Sequence, residues 1–172
     1  MRHACLLALA STGCIAMSVR AQTGVVADDR GAGVQAGVVL GFGYATDTDA
    51  GVLVGAGVSS GTSPALGVTS TIDYVRLRER LGWRAGFTGT VPAIGDGALT
   101  GLDVATLFPL RDHTSYDGSE KGFSVASRSV LAISVEAALG GVVHDVEPAH
   151  IAMRFGGRAS LGLELVSLER WR

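Results

Sequence analysis

The sequence predicts an all-β protein, an antiparallel up-and-down transmembrane β-barrel of eight strands. Three observations predict it. Large apolar residues alternate with small or polar ones at a period of two through most of the chain. Glycine occurs 25 times in 172 residues, about twice its usual share, and at that density it disfavours helix. Only 17% of residues are charged against 47% hydrophobic, where about a quarter charged is usual. The glycines keep no three-residue period, which excludes collagen, and so apolar a chain is not disordered. Mean hydropathy is +0.36, yet the body of the chain lacks the run of about 18 apolar residues that makes a membrane helix. The length fits one domain. A net charge of −2 argues against a nucleic-acid partner.

Residues 1–21 read as a secretory signal peptide. Met1-Arg2-His3 is a short basic start, residues 4–16 are an apolar run, and Val19-Arg20-Ala21 has small residues at both positions that a signal peptidase reads. The expected cut follows Ala21. Residues 22–32 then form an N-terminal periplasmic segment and residues 33–172 the barrel. Ser11-Thr12-Gly13-Cys14 offers a lipoprotein alternative, but that motif favours Leu where Ser11 stands. Both cysteines, Cys5 and Cys14, fall in the leader, so the expected mature chain has no disulfide. Its expected net charge is −4.

The first clear strand begins at Gly33. Val34, Ala36, Val38, Leu40, Phe42 and Tyr44 point one way, and Gln35, Gly37, Gly41 and Gly43 the other. Val52, Val54 and Val58 then oppose Leu53, Gly55 and Gly57. Leu66, Val68, Ile72 and Tyr74 oppose Gly67, Thr69, Thr71 and Asp73. Trp83, Ala85 and Phe87 oppose Gly82, Arg84 and Gly86. Leu102, Val104 and Phe108 oppose Gly101, Asp103 and Ala105. The longest run covers residues 123–139. The last covers residues 151–165, as one long strand or as a hairpin folded at Gly156-Gly157. Polar, Gly- and Pro-containing clusters separate the runs at residues 46–49, 60–64, 92–97, 111–122 and 144–148, with a tighter break near Arg78-Glu79-Arg80. The count is seven or eight, and eight is preferred because barrels of this class have even numbers.

The second face decides what lies inside. A soluble sheet shows water Lys, Glu, Gln and Thr. Here that face carries Gly, Ala, Ser and Thr with isolated charges, and the whole chain holds one lysine, Lys121. Small side chains suit the inside of a narrow barrel, and the apolar face suits lipid tails. Asp73, Asp103, Glu136 and Glu164 share the small-residue face with Arg84, Arg128, Arg154 and Arg158. Four acids and four bases on one face predict an interior ion-pair network, since buried charges must be paired. The planar guanidinium suits such pairing.

Other chemistry finds little support. His144, Asp145 and His150 match no standard metal spacing. His150, Ser160 and Glu164 would make a lipid hydrolase only if Glu164 faced lipid, and its parity points inward. Gly41-Phe42-Gly43 and Gly55-Ala56-Gly57 lack the lysine and helix of a phosphate loop. The chain is therefore expected to need no cofactor and no metal, and to be no enzyme.

From Gly33 to Arg172 the pattern resembles the small eight-stranded outer-membrane β-barrel proteins of Gram-negative bacteria. The match is one of strand pattern, with no signature motif. Such proteins close on alternating apolar residues and a terminal aromatic. Here Leu161, Leu163, Leu165 and Trp171 follow that series, while Ser167, Glu169 and Arg172 depart from it. The resemblance implies an outer-membrane monomer in lipid with both termini in the periplasm. It implies a structural or surface-interaction role and a filled lumen that is no general pore. The loops around Asp47, Arg78 and Tyr116 would then face outward. An extracellular partner would meet the longest one, at Arg111, Asp112, His113, Tyr116, Asp117, Glu120 and Lys121. The alternative is a soluble exported barrel that binds an apolar ligand in its lumen.

Overall fold

A computed structural model describes residues 14–62, 65–94, 98–118, 124–147 and 150–171. For residues 143–147 and 150–153 it describes the backbone alone. Eight strands form the fold: β1 (Cys14–Asp28), β2 (Gly31–Asp47), β3 (Ala50–Gly61), β4 (Leu66–Arg76), β5 (Gly82–Ile94), β6 (Ala98–Gly118), β7 (Ser124–Glu147) and β8 (His150–Trp171). Each pairs antiparallel with the next, and β1 pairs with β8, so the sheet closes into a barrel. Closure leaves no sheet edge along the wall.

The eighth strand is not where the sequence placed it. Residues 150–171 run as one strand through Gly156-Gly157, and the additional strand lies at the start of the chain. β1 begins at Cys14, so the barrel starts 19 residues before the expected Gly33. Residues 22–32 are not a separate periplasmic segment. They finish β1, make the first turn and open β2. In that turn the Asp28 carboxylate accepts N–H bonds from Arg30 (2.8 Å) and Gly31 (3.2 Å). Gly31 takes a φ of 154°, which glycine adopts without cost.

The added strand exchanges the two ends. The turns after β2, β4 and β6 lie at the same end as the start of β1 and the finish of β8, here the terminal end. The turns after β1, β3, β5 and β7 lie at the opposite end. Loops near Asp47, Arg78 and Tyr116 therefore share an end with the termini, and cannot face outward while the termini face the periplasm. The segment 111–118, expected as loop, continues β6 as a hairpin arm paired with β7 up to Gly118↔Ser124. Its register shifts between Pro109 and Arg111, where proline lacks the N–H a ladder needs. Beyond that shift, both faces of the β6 arm are exposed.

Side chains divide strictly by parity. Outward from the wall stand Ile15, Met17, Val19, Val38, Leu40, Phe42, Val54, Val68, Ile72, Phe87, Leu102, Val104, Val135, Leu139, Leu161, Leu163 and Leu165, all exposed. Among the described residues, exposed large apolar side chains outnumber buried ones by about three to one, the reverse of an ordinary globular interior. The interior is layered. Toward the terminal end, Leu53, Val75, Leu77, Leu107, Val130, Val166 and Leu168 pack together with Ala16, Ala45 and Ala132. Toward the other end, Val26, Leu99, Ala138 and Val142 form a smaller apolar layer. Charged and hydroxyl side chains fill the depth between them.

Candidate functional site: a charged layer across the barrel interior

The middle layer is built around Arg84, which is 1% exposed. β5 turns it inward, and four strands present carboxylates to it. Its Nη1 donates to Asp73 on β4 at 3.1 Å and to Asp103 on β6. Its Nη2 donates to Glu136 on β7 at 2.6 Å, and its Nε to Glu164 on β8 at 3.3 Å. Glu136 in turn accepts from Arg158 on β8 and, at 3.4 Å, from Arg20 on β1. Three guanidiniums and four carboxylates thus join six of the eight strands.

Glycine makes the room. A Cβ on Gly86 would stand inside contact distance of the Asp73 carboxylate and of the Ile72 carbonyl. On Gly55 it would press Val39 Cγ1 at 2.9 Å. The small residues of the inner face are the space the charged layer occupies.

Six of the eight expected network residues meet here: Asp73, Arg84, Asp103, Glu136, Arg158 and Glu164. Two do not. Arg128 sits at the terminal end, where Nε and Nη2 grip Asp112 at 3.0 and 2.6 Å and Nη1 reaches the Leu77 carbonyl at 3.2 Å. The Asp112 hydrogen bonds raise the Arg128 pKa above its usual value. Arg154, at the opposite end, pairs with the exposed Asp29. The seventh member, Arg20, lies within the expected leader. Its signal was present in the sequence: Ala16, Ser18, Arg20 and Gln22 alternate with Ile15, Met17, Val19 and Ala21.

The expected interaction loop lies on the hairpin arm at the terminal end. Arg111, Asp112, His113, Tyr116 and Asp117 are all exposed there, while Glu120 and Lys121 lie outside the described residues. Ser115 and Ser127 join the two arms at 2.7 Å. Of the hydrolase candidates, Ser160 and Glu164 both face the interior and are buried, and Glu164 is engaged by Arg84. The side chains of His144, Asp145 and His150 lie outside the described residues. Among the described residues no group of three or more His, Cys, Asp or Glu is placed to hold a metal ion.

On the outward wall, a shallow groove of about 740 Å³ runs over Ala21, Thr23, Ala36 and Ser60 between Leu161 and Leu163 on one side and Val38, Val58 and Leu66 on the other. Both tryptophans and all three tyrosines of the chain lie toward the terminal end. Tyr44, Trp83 and Trp171 are exposed at that rim, and the Tyr74 ring packs against Trp83 at 5.3 Å, tilted by 46°.

No protein-family model matches the chain. No curated protein matches it. Among solved structures, the crystal structure of Neisserial surface protein A aligns with it at a TM-score of 0.45 and 10% sequence identity. That alignment covers 90% of this chain and 97% of the other.

Proposed function

We propose that this chain is a Gram-negative outer-membrane β-barrel with a structural or surface-interaction role, a filled lumen and no enzymatic activity. One observation carries the reading: the barrel wears its large apolar side chains outside and its charges inside. An apolar surface that encircles a whole barrel far exceeds the patches of a few hundred Å² that soluble monomers show. On the described strands, the outward charges are Arg76, Arg111, Asp117 and Glu169, all toward the terminal end. The aromatic residues at the same rim fit a bilayer interface, where Trp and Tyr concentrate. The soluble alternative needs an apolar lumen for its ligand, and the inward side chains at mid-depth are mostly charged, hydroxylated or small, with Val39 the one larger apolar side chain beside Arg20.

The same layers support a closed interior. Arg84 and its four carboxylates cross the lumen, with an apolar layer on either side. In this orientation the termini, the hairpin arm and the aromatic rim face the periplasm. An extracellular partner would then meet the turns after β1, β3, β5 and β7 instead of residues 111–121. We read the protein as a monomer, and its barrel needs no strand from a second copy to close.

Membrane fractionation tests the location. The protein should stay in the outer-membrane pellet through an alkaline carbonate wash, and recovery in the soluble periplasm would overturn the reading. Liposomes containing it should retain small sugars; steady leakage would contradict the filled lumen.

A further inference from the structure

We infer that proteolytic maturation spares residues 14–21, so that any leader ends before Cys14 and Val19-Arg20-Ala21 belongs to the barrel wall. Three features of the fold carry this. First, these residues are paired on both sides. Residues 16–21 pair with β2 from Gly43 to Val38, and residues 14–21 with β8 from Arg170 to Leu163. A cut after Ala21 would strip both neighbours of their partner. It would open two strand edges at a depth where the proposed lipid offers no hydrogen bonds. Second, the remainder of β1, residues 22–28, falls short of the about 9–11 residues a tilted strand needs to span a bilayer. Third, the part removed contributes to the interior. Arg20, 2% exposed, donates to Glu136 at 3.4 Å, and Ala16, fully buried, sits in the apolar layer.

The alternation that makes residues 14–21 a strand also makes Val19 and Ala21 small and outward-facing. A peptidase motif of small residues two apart and a lipid-facing strand share that spacing. The two readings assign opposite importance to neighbouring residues. As a cleavage site, Ala21 is essential and Arg20 is discarded. As wall, Ala21 is a replaceable outward residue and Arg20 is a buried ion-pair partner.

The test is the N-terminus of the protein recovered from cells, read by intact mass and by peptides that contain Arg20. It is read on whichever fraction holds the protein, so it does not depend on the membrane assignment. The expected chain starts at or before Cys14, and one that starts at Gln22 overturns the inference. Two substitutions sharpen it. Ala21→Leu should leave the N-terminus and the yield as in the wild type, with the intact mass raised only by the three added methylene groups; an unchanged mass, or accumulation of a longer, unprocessed chain, would contradict the inference. Arg20→Glu leaves both peptidase positions intact and should cut the yield of folded barrel several-fold, whereas wild-type yield would show that residue 20 is discarded.

Discussion

Arg84 on β5 reaches Glu136 on β7 at 2.6 Å, passing across the lumen over β6 between them. Both side chains are 2% exposed or less. The pair ties two strands that are not neighbours at mid-depth, and the same guanidinium holds Asp73, Asp103 and Glu164. Removing it takes from Asp73, Asp103 and Glu164 the guanidinium that pairs them in the buried interior, while Glu136 keeps Arg158 and Arg20.

Arg84→Ala should therefore destabilise the folded barrel by about 3–5 kcal/mol, the range for breaking a buried ion pair from one side. Urea-driven unfolding in detergent or bilayers measures it. A loss below about 1 kcal/mol, the range of exposed pairs, would show that Arg84 does not organise the layer.

Asp112→Ala supplies the contrast. Its partner Arg128 grips it bidentately, but at the rim, with 28% of the Asp112 side chain exposed. The expected cost is at most about 1 kcal/mol, read in the same unfolding assay. A cost equal to that of Arg84→Ala would mean that the hairpin arm, rather than the interior, holds the barrel together.

Gly86→Val should behave like a defect in the charged layer although no charge is changed. The added side chain must displace the Asp73 carboxylate or the backbone of β4. An over-packed interior costs about 1–3 kcal/mol. Gly118→Val is the control, since nothing lies within 4 Å of a Cβ there. Equal effects at the two positions would locate the cost in backbone entropy and not in crowding.

Leu163→Arg tests the outer face. Leu163 is half-exposed, pairs with Ala21 and Ile133, and lies close to the depth of Glu164. An arginine facing lipid at mid-depth costs about 2–4 kcal/mol, and the penalty should fall to about 1 kcal/mol or less for Glu169→Arg at the rim. Refolding into lipid vesicles across a urea series reads both. Equal, small effects would place this surface in water.

The sequence made the architecture legible because a two-residue period survives in every strand, and parity alone told inside from outside for Asp73, Arg84, Asp103, Glu136, Arg158 and Glu164. Parity does not tell depth. Arg128 shares a face with Glu136 but lies eight residues away, about 27 Å along a strand, and so belongs to the rim. Arg154 lies four residues from Arg158, about 13 Å, and pairs with Asp29 beyond the layer. Arg20 was hidden for another reason. An apolar leader and a lipid-facing strand have the same composition, and Ala21 and Thr23 weaken the alternation where the two readings compete. Setting that strand aside also reversed the two ends of the barrel, because one added strand moves every later turn to the other side.

The central claim, a closed barrel with its apolar face in the outer membrane, is tested most directly by electrophoresis of the outer-membrane fraction in SDS with and without boiling. A closed, ion-paired barrel should resist cold SDS and migrate differently from the boiled, unfolded chain. A protein absent from that fraction, or one whose mobility boiling leaves unchanged, would contradict the account.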